Sequence, residues 1–198
     1  GLRQHRDWQA GARLWALMEG GTSYTAVMQW RQGLPDLVIT SNLQGLSLQA
    51  PAPLGKHADS AQAFRLEYGL TPETRAAAAA RWQDQFQLSL GTVVRAHLVR
   101  EIGGPQAKML RGGISLSPDV APAVVLPSEG LGLNARFDDL NLDQWSPWLN
   151  KLGAAAAGTT PPTTSGRSGS AAGIDSLQDL MPSALVLSAH RVTSEGRT

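Results

Sequence analysis

The side chains best suited to chemistry in this chain are its four histidines: His5, His57, His97 and His190. A histidine-based metal site needs a second ligand at short spacing, as in His-Glu-x-x-His, and no two of these histidines are spaced in that way. The chain contains no cysteine, which excludes disulfides, thiolate catalysis and Cys-ligated zinc or iron–sulfur sites. His97 falls among the polar positions of a predicted strand, beside Arg95, so we expect it to face solvent.

Acidic residues come together in one place, at Asp138, Asp139 and Asp143. They precede a predicted helix, where carboxylates typically act as caps and as partners of the helix dipole. The tripeptide from His5 to Asp7 resembles the start of a kinase catalytic loop, but no glycine-rich loop or Asp-Phe-Gly accompanies it. A Gly-x-Ser-x-Gly elbow and a phosphate loop are also absent. The sequence therefore predicts a non-enzymatic protein with no catalytic residue, no metal site and no cofactor.

Composition narrows the classes of partner. The 198 residues include 17 basic and 16 acidic side chains, for a net charge of +1, so no strong field attracts nucleic acid. Charged residues make up 17% of the chain, against about 25% in an ordinary soluble domain, which suits an extracytoplasmic protein. No apolar run approaches the ~20 residues that span a bilayer. The chain begins at Gly1 without a signal sequence, and we expect both ends to be cuts through a longer polypeptide.

Apolar and polar residues alternate along most of the chain, which predicts half-buried strands joined by Gly/Pro turns. Predicted strands fall near residues 24–30, 37–48, 64–70, 81–90, 94–99, 114–116, 131–137 and 180–192. The apolar parity switches at Gln44–Gly45, which predicts a bulge or tight turn. We expect turns at residues 33–36 and at the glycine pairs Gly103–Gly104 and Gly112–Gly113.

Helices are predicted to be few. A short one is expected to close at Gly20–Gly21, and residues 71–80 could be helical or lead into the strand that we favour from Arg81. A third is expected with Asp143 as its N-cap, Pro147 in its first turn and Gly153 as its stop. The fold class is therefore mainly β: a long, curved antiparallel sheet with one or two short helices. Its expected parts are a β-sheet segment at 1–152, a flexible linker at 153–173 and the start of a further β unit at 174–198.

One segment, residues 41–56, carries a family pattern. It closely resembles the YhdP branch of the AsmA-like proteins, of which this chain would be an internal fragment. The positions that match are Ser41, Asn42, Leu43, Gly45, Leu46, Pro51, Pro53, Leu54, Gly55 and Lys56. Ala50 departs from the pattern, since the family usually has Leu there. Flanking stretches at 17–24 and 126–145 agree with the resemblance, which spans about residues 14–150.

The resemblance implies an inner-membrane-anchored periplasmic protein of Gram-negative bacteria, with its anchor outside this chain. Such proteins are considered to conduct phospholipid towards the outer membrane along an apolar groove in a β-sheet. The partners would be phospholipid acyl chains, and the matching segment itself would be a structural corner. A conduit of this kind needs a continuous apolar face and no catalytic group, because buried methylenes supply the contact.

The candidate groove face consists of apolar residues on two strands and their approaches: Trp82, Phe86, Leu88, Leu90, Leu131, Leu133 and Phe137. The same alternation also fits a sheet packed on its own core. Two alternatives therefore stay open: a structural or assembly module for outer-membrane biogenesis that carries no lipid, and a carbohydrate-binding β-sandwich that uses its tryptophans. An apolar trough on one face of the sheet would favour transport, and a closed core the structural module.

Overall fold

A computed structural model describes residues 18–31, 33–76, 81–104, 107–157 and 183–194. The protein is mainly β, as the alternation predicts. The strands are β1 Met18–Gly20, β2 Tyr24–Arg31, β3 Leu34–Ser41, β4 Leu46–Leu48, β5 Phe64–Leu70, β6 Gln83–Leu90, β7 Val94–Glu101, β8 Lys108–Leu116, β9 Gly130–Asn141 and β10 Ala184–Thr193. The helices are α1 Pro72–Arg75 and α2 Leu142–Ala157.

Eight of these strands form one sheet in the order β10-β9-β8-β7-β6-β5-β3-β2, while β1 and β4 pair separately. Neighbours are antiparallel from β2 to β8, so the predicted antiparallel pairing is confirmed over that part. The prediction of a wholly antiparallel sheet is wrong at β9, which runs parallel to both β8 and β10. Alternation reports which side chains share a face and carries no information on strand direction. The sheet is therefore mixed, and its curvature stays a prediction.

Register gives the sheet two chemically different faces. Side chains alternate between faces along a strand, and directly opposed residues share a face. Leu66 lies opposite Leu88, and Leu88 lies opposite Ala96, so these residues belong to one face, called here the apolar face. Glu67, Gln87 and His97 are opposed in the same way on the other side, called here the polar face.

The polar face is crossed by residues 117–129, which connect β8 to β9. Ala121 donates its backbone N–H to the Thr92 carbonyl at 2.6 Å, and its own carbonyl accepts from Arg95 Nε at 3.2 Å. A Cβ placed on Gly113 would lie 2.4 Å from Cγ1 of Val124. The Gly112–Gly113 pair thus lies inside β8 rather than at a hairpin turn, and the prediction of a turn there is wrong. At Gly113, the absence of a side chain lets the crossing segment approach the sheet.

Several predicted boundaries differ from the structure because tertiary pairing overrides local signals. The described end of the predicted first helix, Met18 and Glu19, is a strand that pairs with β4. The turn expected at residues 33–36 is shorter, since β3 already begins at Leu34. The parity switch at Gln44–Gly45 is a turn at which the chain leaves the large sheet after β3 and enters the small one as β4.

Residues 72–75 are helical rather than extended. Thr71 is the N-cap of α1, and its Oγ1 accepts a hydrogen bond from the Thr74 backbone N–H at 3.3 Å. Thr74 Oγ1 in turn accepts from the Gln83 backbone N–H at 3.0 Å, which ties α1 to the start of β6. The strand therefore begins at Gln83 and not at Arg81. The rest of the ambiguous stretch, residues 77–80, lies outside the described residues.

The helix after β9 begins earlier and ends later than predicted. Asn141 Oδ1 accepts a hydrogen bond from the Gln144 backbone N–H at 3.1 Å, so Asn141 is its cap and Asp143 lies in its first turn. Pro147 lies inside α2 rather than in its first turn. The helix continues through Gly153 to Ala157, so Gly153 is not its stop. Residues 158–173 of the predicted linker lie outside the described residues, and β10 lies in the same sheet as β9.

Candidate functional site

A continuous row of apolar side chains crosses the middle of the apolar face. Each of the eight strands contributes one directly opposed residue to it, and all eight are apolar: Ala26, Ile39, Leu66, Leu88, Ala96, Ile114, Leu133 and Leu185. A second row, on the side nearer α1, holds Met28, Leu37, Tyr68, Phe86, Leu98, Gly112 and Leu131. The third, nearer α2, holds Tyr24, Ser41, Phe64, Leu90, Val94, Leu116, Ala135 and Leu187.

The predicted groove residues lie mostly on this face. The register places six of the seven there: Phe86, Leu88, Leu90, Leu131, Leu133 and Phe137. Trp82 precedes β6, is 49% exposed and lies beside Gly103, so it stands apart from the rows. Leu131 and Phe137 are buried, whereas Phe86, Leu88, Leu90 and Leu133 are half-buried. A ligand could contact these four half-buried side chains, because part of their surface still faces solvent.

One margin of the apolar face is closed by the hydrophobic core. Leu116, Ala135, Phe137, Leu140 and Trp145 form a buried cluster between the sheet and α2. The Phe137 and Trp145 rings meet edge to face with centroids 5.2 Å apart, an arrangement that aromatic pairs favour. Around this cluster lie partly buried side chains from four parts of the chain: Leu54, Val93, Val94, Trp148 and Ala189. We call this side the α2 margin.

The family-like segment supplies part of that margin. Leu54 packs against the core cluster, and Trp148 Nε1 of α2 donates to the Gln49 carbonyl at 3.0 Å. Lys56 is buried, and its Nζ donates to the carbonyls of Leu46 at 2.8 Å and His57 at 2.9 Å. A buried ammonium is tolerated when it is hydrogen-bonded in this way. These contacts hold the segment against α2 and the core cluster.

The rest of the segment is held by its own backbone. Gly45 donates its N–H to the Ala58 carbonyl at 2.7 Å, and Leu48 pairs with Lys56. Leu43 donates its N–H to Ser41 Oγ at 2.9 Å. Leu46 is buried, and the Pro51 carbonyl accepts from the N–H groups of Leu54 and Gly55. Pro53 follows a cis peptide bond.

The opposite margin of the apolar face carries a charged pair. Arg100 donates to Asp84 through Nε at 3.0 Å and Nη2 at 2.6 Å, and Asp84 is only 1% exposed. The guanidinium carbon lies 4.6 Å from the centroid of the Phe86 ring, which itself packs against the Tyr68 ring with the centroids 4.7 Å apart and the planes tilted by 37°. Burial, and then the charge of Asp84, raises the pKa of Tyr68 above its usual value. We call this side the polar margin.

Sequence reasoning missed Asp84 and Arg100, although a signal was present. Both occupy the even positions that are otherwise apolar on their strands, with Phe86 and Leu88 following Asp84 and with Ala96 and Leu98 preceding Arg100. When two neighbouring predicted strands each carry a charged residue at an otherwise apolar position, and the charges are opposite, the two side chains can form an ion pair across the strands.

The polar face brings together groups of modest reactivity. His97 Nε2 lies 2.9 Å from Gln85 Oε1, and burial lowers the pKa of the His97 imidazole, with a smaller lowering by the charge of Arg111. A shallow cavity of about 360 Å³ lies between this face and the crossing segment, lined in part by Arg65, Gln87 and Arg95. Among the described residues, no three side chains of the metal-binding types cluster. Neither helix in the described part of the chain has the length and hydropathy needed to cross a membrane.

Comparison of the chain with models of protein families, with curated proteins and with solved structures found no match to any of them.

Proposed function

We propose that this chain is a non-enzymatic segment of a protein that conducts phospholipid, with acyl chains lying against the apolar face. The observation that carries the proposal is the central row of eight apolar residues, one from every strand of the large sheet. The seven spacings between the eight strands, at ~4.8 Å each, give the row a length of ~34 Å, comparable with the ~30 Å hydrocarbon core of a bilayer.

The side chains of the three rows suit the passage of a lipid along the sheet better than the tight binding of one lipid. Their side chains are mostly aliphatic and half-buried, so each methylene that leaves water gains ~0.8 kcal/mol wherever it lies along the row. Uniform contact lets a chain slide, since one position is equivalent to the next. The resemblance of residues 41–56 to the YhdP-type proteins supports the same proposal. It adds a periplasmic location and an inner-membrane anchor outside this chain.

Site-specific photo-crosslinking tests the proposal. A benzophenone amino acid replaces Leu88 or Leu133 on the apolar face, or Gln87 or Asn134 as matched controls one residue along the same strands. Each variant is incubated with vesicles of phosphatidylethanolamine and phosphatidylglycerol, irradiated and analysed by mass spectrometry. We expect phospholipid adducts from positions 88 and 133, and few from 87 and 134.

Two results would contradict lipid conduction by this face. Absence of adducts at both apolar positions would favour the structural or assembly module, whose sheet packs on protein alone. Equal yields on the two faces would mean that the apolar rows do not select the acyl chain.

A further inference from the structure

We propose that the Asp84–Arg100 pair orients the lipid, holding the headgroup at the polar margin and directing the chain ends towards α2. This inference rests on the proposed function and adds a specificity-determining element to it.

The pair is out of place on a face that is otherwise apolar. Asp84 is 1% exposed, and Arg100 donates two hydrogen bonds to it while the guanidinium carbon lies 4.6 Å from the centroid of the Phe86 ring. Replacing a buried ion pair by apolar residues of similar volume is often neutral or stabilising. Stability alone therefore gives little reason for these charges on the apolar parity of β6 and β7.

The two margins of the apolar face differ in chemistry, since one carries an ion pair and the other an apolar core. A lipid on this face therefore has a preferred orientation. On β6 the apolar face begins at Asp84 and continues through Phe86 and Leu88 to Leu90, about 20 Å at ~3.4 Å per residue. Its far end meets the Leu116, Phe137 and Trp145 cluster, which offers only apolar surface and indole rings. Acyl methylenes gain contact with the half-buried Leu90 and Val94 at this end, whereas over the ion pair they would remove water from the partly exposed Arg100 side chain.

Charge continues outward past the polar margin. Arg81, which precedes β6, pairs through Nη1 with Glu101 of β7 at 3.1 Å, beyond the Asp84–Arg100 pair, and Arg81 is well exposed. Lys108 lies opposite Glu101 at the start of β8. A hydrated, charged phospholipid headgroup is compatible with such surroundings, so the lipid is expected to lie with its ester end here.

The test uses two phospholipids that differ only in the position of a diazirine, close to the glycerol ester or at the methyl end of the chain. The full chain is loaded from phosphatidylethanolamine–phosphatidylglycerol vesicles that contain one of these probes, irradiated and digested for mass spectrometry. We expect the ester-end probe to label the peptide around Phe86 and the methyl-end probe the peptides around Val94 and Leu133. The expected orientation keeps about two more methylenes on apolar surface than the reverse orientation does. The ratio of labelling at the two ends is therefore expected to be about tenfold.

The apolar double variant D84L/R100M should abolish this preference while binding is retained. The matched control is R65Q/E67Q, which neutralises an exposed pair on the polar face of β5 and should leave the preference unchanged. A pair that merely sets the β6–β7 register would leave the labelling pattern unchanged in folded D84L/R100M. If the double variant fails to fold, the labelling of the unmodified chain still decides the orientation.

The outcomes separate the two proposals. Labelling of the apolar face by both probes without a positional preference would overturn the orientation and leave lipid conduction standing. Absence of labelling by either probe would overturn conduction, and the orientation with it. The reverse preference, with the methyl end at Phe86, would also overturn the orientation.

Discussion

Asp84 illustrates how strongly a single side chain is constrained in this sheet. Its carboxylate is enclosed and depends on Arg100 for two hydrogen bonds. The two charges were visible in the sequence on apolar parity, but their pairing depends on a register that one sequence does not give. Lys56 is similar: its type and neighbours were known, and only the structure places Nζ against the carbonyls of Leu46 and His57.

His97 provides a residue-scale prediction about pH. Burial and the charge of Arg111 lower the pKa of His97 in the folded chain below its usual value near 6.5. A lowered pKa means that the folded state disfavours the imidazolium. The resulting stability is present above about pH 6.5 and is lost as the pH falls through the folded-state pKa.

We therefore expect the free energy of unfolding to decrease between about pH 8 and about pH 5, and to decrease less in the His97→Gln variant. Urea unfolding followed by circular dichroism at several pH values measures both. Gln87→Asn changes a non-titrating residue opposite His97 on the polar face, so it is the control that should keep the original pH dependence. An unchanged pH dependence in His97→Gln would contradict the prediction.

At the scale of elements, alternation predicted where strands lie, because half-buried strands must separate apolar from polar residues. Strand β5 was found at the predicted residues, and β7 and β9 were found where this pattern placed them but extend further. Local signals failed where tertiary contacts decide, as at Gly112–Gly113 inside β8 and at Gly153 inside α2. The direction of β9 also depends on the route of its connection, which has no periodic signature.

Gly112 gives a prediction at this scale. A Cβ there would lie 2.5 Å from Leu98 Cδ2 and 3.0 Å from Leu131 Cδ1, because these leucines lean over the glycine on the apolar face. We expect Gly112→Ala to cost about 1–3 kcal/mol of stability through overpacking. The measurement is the free energy of unfolding in urea.

Gly132 on neighbouring β9 is the matched control, since its added Cβ would meet nothing closer than 3.8 Å. Gly132→Ala should change the stability by no more than about 0.5 kcal/mol. Equal losses in the two variants would mean that the leucines over Gly112 move aside freely.

For the molecule as a whole, the sequence indicated the mainly β class and a sheet with one apolar face. It did not indicate that the core would gather at one margin. That core depends on Trp145 of α2, which contacts Phe137 of β9 and Trp148 one turn further along the helix. Side chains far apart in sequence, Leu54 among them, complete it.

Trp145→Ala should therefore lower the stability of the whole sheet and not only of α2. We expect a loss of about 3–5 kcal/mol, a large part of the ~5–15 kcal/mol that typically stabilises a domain. Thermal unfolding followed by circular dichroism measures the shift. Leu149→Ala on the same helix is the control, because Leu149 is 54% exposed and should matter little. A transition that loses only the helical signal would contradict the prediction.

The parallel placement of β9 also has a consequence for the order of folding. Strands β5 to β8 are neighbours in sequence as well as in space, so their contacts are local and close quickly. β9 can pair with β8 only after residues 117–129 have crossed the polar face. α2 follows β9 in the chain and can pack over Leu54 and Phe137 only after that step. During synthesis the N-terminal strands therefore emerge well before the helix that closes one margin of their apolar face. We expect an early intermediate with exposed leucines, in need of protection from aggregation until α2 arrives.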